Sequence, residues 1–149
     1  MLKFCKDAWD KNKDLLENAI RNDKHMNDTD YLGLVQMVVK HILNGEKYLF
    51  DDKRITQIDD GDYQGTLLFV IPRKTYQPCS DDYLMTYVWY GSCSGCDTLQ
   101  GITGYASGAA NEQQVKDYMT LCKDIVCNMV KPFRDGWRQD DEFSEVAEW

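Results

Sequence analysis

Proline and histidine are both scarce in this chain, with three prolines and two histidines in 149 residues. Few prolines leave long helices uninterrupted. Two histidines mean that His25 and His41 are the only imidazoles open to a catalytic or metal site. No segment approaches the roughly 18 consecutive apolar residues of a membrane span. No apolar core follows the opening Met1–Asp7, so the chain reads as intracellular and not exported. Positive charge is also short: 17 basic side chains against 25 acidic ones give a net charge of -8. Phosphate affinity needs clustered Lys and Arg that release counterions, which excludes a general nucleic-acid binder. The same balance argues against attraction to anionic membranes. There is no internal repeat, low-complexity run or Gly/Ser linker. Residues 1–134 therefore read as one α+β domain, followed by an acidic, aromatic tail over 135–149.

Six cysteines are fewer than a disulfide scaffold of this length requires, and free thiols are expected in a reducing compartment. Four Trp and nine Tyr are a generous supply. Some must be core, because aromatic rings bury the most area, and the surplus favours a partner surface.

Apolar residues Phe4, Ala8, Trp9, Leu15, Leu16, Ala19 and Ile20 recur at helical spacing and predict a first helix. A second helix, capped by Asp28 or Thr29, is expected over Tyr31 to Leu43 and should stop at Asn44-Gly45. The clearest stripe is Val115, Tyr118, Met119, Cys122, Ile125, Val126, Met129 and Val130. Asn111 and Gln114 offer that third helix a capping box, and Pro132 is expected to stop it. Between the second and third helices the period changes. Residues 54–59 alternate, 66–71 form an unbroken apolar run, and 83–90 are rich in aromatic and β-branched types. Asp60-Gly61 reads as a turn, with a loop extending to Gln64-Gly65. The expectation is α+β: an antiparallel sheet of about three strands packed against three helices. The run at 66–71 should be the central strand, covered on both faces.

Gly91 to Gly108 holds five of the ten glycines and opens on Tyr90-Gly91-Ser92-Cys93-Ser94-Gly95-Cys96-Asp97. Four readings compete for it. In a redox reading Cys93 is a low-pKa thiolate and Cys96 its resolving partner, although an adjacent Asp97 should raise a thiol pKa. A zinc reading needs two further ligands from Cys79, Cys122, Cys127, His25 and His41. Cys122 and Cys127 sit five apart, so on one helix they diverge by about 140°, and Cys122 fits the core better. Nucleophilic catalysis needs a base, and His41 falls in the second helix as a candidate core residue. The plainest reading is structural: small residues let the chain turn sharply, with the thiols packed beneath. It leaves unexplained why two cysteines stand where serine would serve.

Acidic residues cluster at Asp51-Asp52, Asp59-Asp60 with Asp62, Asp81-Asp82 and Asp140-Asp141-Glu142. Paired carboxylates hold Mg²⁺ in nucleases, but these pairs fall at turns, where Asp is favoured for local hydrogen bonds. Spaced carboxylates also imitate a phosphate backbone and steer encounter with a basic partner.

Asp62-Tyr63-Gln64-Gly65-Thr66 followed by Tyr90-Gly91-Ser92-Cys93-Ser94-Gly95-Cys96-Asp97 resembles small proteins encoded by bacteriophages and prophages, over residues 62–102. The resemblance implies a phage accessory protein acting in a bacterial cytoplasm. By analogy of size and charge it implies an inhibitor of a host defence system, in the manner of anti-CRISPR proteins. The expected partner is a host protein with a basic nucleic-acid-binding surface. Direct nucleic-acid binding, membrane association, a cofactor, a metal and a catalytic residue are not expected. The expected binding residues are Asp59, Asp60, Asp62, Tyr90, Cys93, Cys96, Asp97, Trp137, Asp140, Asp141, Glu142 and Trp149. The alternative is a small metal- or thiol-dependent enzyme built on Cys93, Cys96 and Asp97, and a third reading is a virion component.

Overall fold

In a computed structural model, which describes residues 1–44 and 49–131, the first apolar stripe forms α1, Lys3–Asn22. Cys5, Ala8, Trp9, Asn12, Leu16 and Ile20 recur every three or four residues and are buried. Leu15 lies off that row and is exposed, so it is not part of the stripe it was expected to join.

Helix α2, Tyr31–Val38, is capped by Asp30, not by Asp28 or Thr29. Asp28 is taken up in a short 3₁₀ turn, Met26–Asp28. The backbone first becomes extended at Thr29 and Asp30, where an N-cap needs it. Asp30 Oδ1 then accepts from the Gly33 amide at 2.8 Å. After Val38 the helix widens into a π turn, Val39–Leu43. Asn12, buried on α1, donates its side-chain amide to the Ile42 carbonyl at 2.9 Å. Beyond the turn, Asn44 clasps Phe50 through both its amide and carbonyl groups, at 2.9 and 2.8 Å.

The three strands form the expected antiparallel meander: β1, Thr56–Asp59; β2, Gly65–Pro72; β3, Tyr83–Tyr90, in the order β1-β2-β3. Ile58 faces Leu68, which faces Tyr87. The apolar run of β2 is central, as its composition predicts, but it is not equally covered on both faces. Leu67, Phe69 and Ile71 are buried, whereas Leu68 and Val70 are half-buried. Antiparallel pleating sends alternate residues to opposite faces, and the helices pack on the face carrying Phe69, Leu84, Thr86 and Val88. Thr86 Oγ1 donates to the Ile125 carbonyl across that contact at 2.7 Å.

A short helix not expected from the sequence, α3, Thr98–Thr103, follows the cysteine loop. Helix α4, Glu112–Cys127, starts at the expected capping box. Gln114 N donates to Asn111 Oδ1 at 2.8 Å, and Asn111 N to Gln114 Oε1 at 3.0 Å. The helix stops well before Pro132, because Val130 forms an antiparallel bridge with Met85, through bonds of 2.9 and 2.8 Å. The edge of β3 therefore ends α4. Tyr118 on α4 is fully buried and donates to Asn27 Oδ1 at 2.8 Å, tying the helix to the turn before α2. Each fully buried Leu, Ile or Phe contributes about 1.5–3 kcal/mol, and the core draws them from α1, α2, α4 and the inner sheet face. The result is an α+β fold. No helix among the described residues is long and apolar enough to cross a membrane.

Candidate functional site: the acidic turn and the cysteine loop

The register of β2 with β3 pairs Gly65 with Tyr90. The turn of residues 60–64 and the loop of residues 91–97 therefore leave the same end of the sheet. Asp59, Asp60, Asp62, Tyr90, Cys93, Cys96 and Asp97 are brought together there, from two stretches of sequence. Trp137, Asp140, Asp141, Glu142 and Trp149 lie outside the described residues.

On the turn side, Tyr90 Oη donates to Asp59 Oδ1 at 2.6 Å. That bond, with the Gly61 amide, holds the Asp59 carboxyl below its ordinary range. The same bond, reinforced by desolvation and by the charges of Asp59, Asp60 and Asp62, pushes the Tyr90 phenol up to about 12. Asp60 Oδ1 accepts from the Thr66 amide at 2.6 Å and closes the turn, which spans residues 60–64 and is wider than a two-residue hairpin. Asp62 projects into solvent. Tyr63 and, opposite Thr66 on β3, Trp89 are 84% and 72% exposed. Neither aromatic was among the expected binding residues.

On the loop side, Asp97 is buried. Its Oδ1 accepts from Tyr31 Oη at 3.0 Å and the Gln100 amide at 2.9 Å, and its Oδ2 accepts from the Gly91 amide at 3.0 Å. Tyr31 Oη in turn accepts from the Leu99 amide at 3.1 Å. Burial, aided by the Asp97 charge, pushes that phenol up to about 12. Gly91 is required by close approach: a Cβ there would lie 2.6 Å from the Cys96 backbone. The amides of Cys96 and Asp97 both donate to the Cys93 carbonyl, at 3.0 and 2.8 Å, so residues 93–97 form a closed turn.

The thiols are not packed beneath this loop. Cys93 and Cys96 are both exposed, and their Sγ atoms stand 3.0 Å apart. The small residues serve the turn, while Asp97 and Gly91 occupy the inside. Asp97 does not raise the neighbouring thiol either, because both its oxygens face inward to three donors. The Cys96 thiol is instead shifted down. The Cys93 thiol contributes most, then the Cys93 amide at 3.3 Å, then the Ser92 hydroxyl at 3.8 Å. Elsewhere burial does the reverse, raising Cys5 and pushing Cys122 up to about 12. Cys127, off the buried face of α4, is raised mainly by partial burial and next by Asp124. Cys79 is exposed in the connection at the opposite end of the sheet.

His41 is half-buried and not a core residue; it lines an open groove of about 460 Å³ with Met37, Lys40 and Asp52. Burial and then the Lys40 charge lower its pKa. His25 is exposed, 3.7 Å from Asp28. Among the described residues neither histidine hydrogen-bonds a cysteine, and no cluster of three or more His, Cys, Asp or Glu side chains could hold a metal ion. Comparison with protein-family models, with curated proteins and with solved structures finds no match to this chain.

Proposed function

We propose that this chain is a non-enzymatic binding protein, of the phage accessory kind that its central string resembles. It would inhibit a host protein by seating the acidic, aromatic end of its sheet on a basic, nucleic-acid-handling surface. The observation that carries the reading is the grouping of Asp59, Asp60 and Asp62 with exposed Tyr63 and Trp89 at one sheet end. Asp59 stays ionised through neutral pH, since Tyr90 and the Gly61 amide favour its charged form. Hydrogen bonds to Thr66 and Tyr90 fix two of the three carboxylates. Less side-chain freedom is then lost when a partner binds. Fixed carboxylates imitate spaced phosphates, and complementary charge makes encounter fast and salt-sensitive. Tyr63 and Trp89 supply the rigid aromatic area that anchors interfaces. A bacterial defence complex that handles nucleic acid presents the matching surface, and the bacterial cytoplasm is where the two would meet.

Capture from bacterial lysates tests this with three immobilised proteins: the full chain, the double variant Asp62→Lys/Tyr63→Ala, and Asp14→Lys on the exposed face of α1. One basic protein is expected on the parent chain and on Asp14→Lys, with retention falling about tenfold or more on the double variant and in high salt. Recovery of no specific partner across several hosts, or equal retention by all three proteins, overturns the reading.

A further inference from the structure

The two thiols of the loop need an explanation that the acidic surface does not supply. They are not filling space, since both point into solvent. Serine would make the same turn with the same backbone bonds. We propose that Cys93 and Cys96 form a reversible dithiol–disulfide site that exchanges with external organic disulfides, of which glutathione disulfide is the simplest.

Three features of the loop support that chemistry. Sγ to Sγ is 3.0 Å, so closure to a disulfide of about 2.05 Å needs roughly 1 Å of side-chain movement. The turn between the cysteines is already closed by two amides on the Cys93 carbonyl. Its base is pinned where Asp97 bridges the Gly91 and Gln100 amides under Tyr31, so oxidation requires no rearrangement of the sheet. Finally, Cys96 Sγ accepts from the Cys93 amide and lies near the Ser92 hydroxyl. These contacts favour its thiolate, and the thiolate is the attacking species.

In the first step Cys96 Sγ, as thiolate, attacks one sulfur of the external disulfide. A Cys96 mixed disulfide forms and one thiolate leaves. Cys93 Sγ then loses its proton and attacks Cys96 Sγ, expelling the second thiolate. The internal S–S bond replaces the external one. The dithiol gives up two electrons, the external disulfide takes them, and the two protons end on the two released thiols.

The full-length protein in a buffer of reduced and oxidised glutathione provides the test, with quenching by alkylation and peptide mass mapping. The Cys93–Cys96 peptide is expected to be lighter by two hydrogens, closed to alkylation and reopened by dithiothreitol. Exposed Cys79 serves as a control thiol within the same molecule. In Cys93→Ser the resolving sulfur is gone, so a mixed disulfide should accumulate at Cys96 about tenfold faster than at Cys79. Both thiols alkylating like Cys79 with no internal disulfide would overturn the proposal. So would a Cys93→Ser mixed disulfide that forms no faster at Cys96 than at Cys79.

Discussion

Cys122 in the middle of α4 and Cys96 at the end of the sheet carry the same thiol, and their surroundings make them different chemical groups. Cys122 is completely buried, and burial alone pushes its pKa up to about 12. It behaves as a small apolar filler. Cys96 stands in solvent among a second thiol, an amide and a hydroxyl, all of which favour its charged form. The helical side of the molecule uses its polar atoms to hold elements together, as Tyr118 does with Asn27. The sheet end uses a buried carboxylate, Asp97, to pin the base of an exposed loop.

The contrast breaks most visibly if that carboxylate is removed. Asp97→Ala leaves the Tyr31 hydroxyl and the Gly91 and Gln100 amides without their acceptor. It should cost about 3 kcal/mol, since each buried group left unsatisfied loses roughly 1–3 kcal/mol. Exposed Asp62→Asn should stay within about 0.5 kcal/mol. Urea midpoints of the two variants check this, and equal midpoints would place the support of the loop elsewhere.

A smaller effect compares the thiols themselves. Cys122→Ser puts a hydroxyl into an apolar site and should cost about 2 kcal/mol. Cys96→Ser, in water, should cost under about 0.5 kcal/mol. Similar losses in urea unfolding would show that both positions are structural.

The smallest effect concerns Tyr31. Tyr31→Phe removes one hydroxyl that links Asp97 to the Leu99 amide, at about 1 kcal/mol. It also weakens the pH dependence of stability. The phenol of Tyr31 is raised from 10.0 to about 12 and the thiol of Cys122 from 9.0 to about 12. Below pH 9 neither affects the pH profile. As pH rises from 9 towards 12 the unfolded chain ionises while the fold keeps its protons, so stability falls. Urea unfolding at pH 8 and pH 11 should show that fall, reduced in Tyr31→Phe and Cys122→Val. A flat profile in the parent chain would mean that neither group is held protonated by the fold.

Local patterns were legible in the sequence where one element carries its own signal. The stripe of α4 and its Asn111–Gln114 box, the aromatic run of β3 and the central place of β2 all follow from spacing and residue type. Signals that depend on a distant partner were not. Asp97 next to two cysteines reads as a charge beside a thiol until Tyr31, far back in the sequence, turns it inward. Pro132 reads as the stop of the last helix, yet the bridge of Val130 to Met85 ends it earlier. Asp28 and Thr29 read as caps from residue type, and the turn at Met26–Asp28 moves the cap to Asp30. Nothing local announces that Tyr63 and Trp89 face solvent. The joining of the acidic turn to the cysteine loop depends on the strand register, which pairs Gly65 with Tyr90.

The π turn at Val39–Leu43 also limits how far this chain tolerates a change in length. A π turn accommodates one residue more than a regular turn, and one residue is about 100° of helix rotation. Deleting a single residue there would restore ordinary helix geometry. It would also swing the Ile42 carbonyl away from Asn12 and the Asn44 side chain away from Phe50. The regular helix is therefore the wrong one for this fold, and homologues that shorten this segment would need a different residue at the position of Asn12.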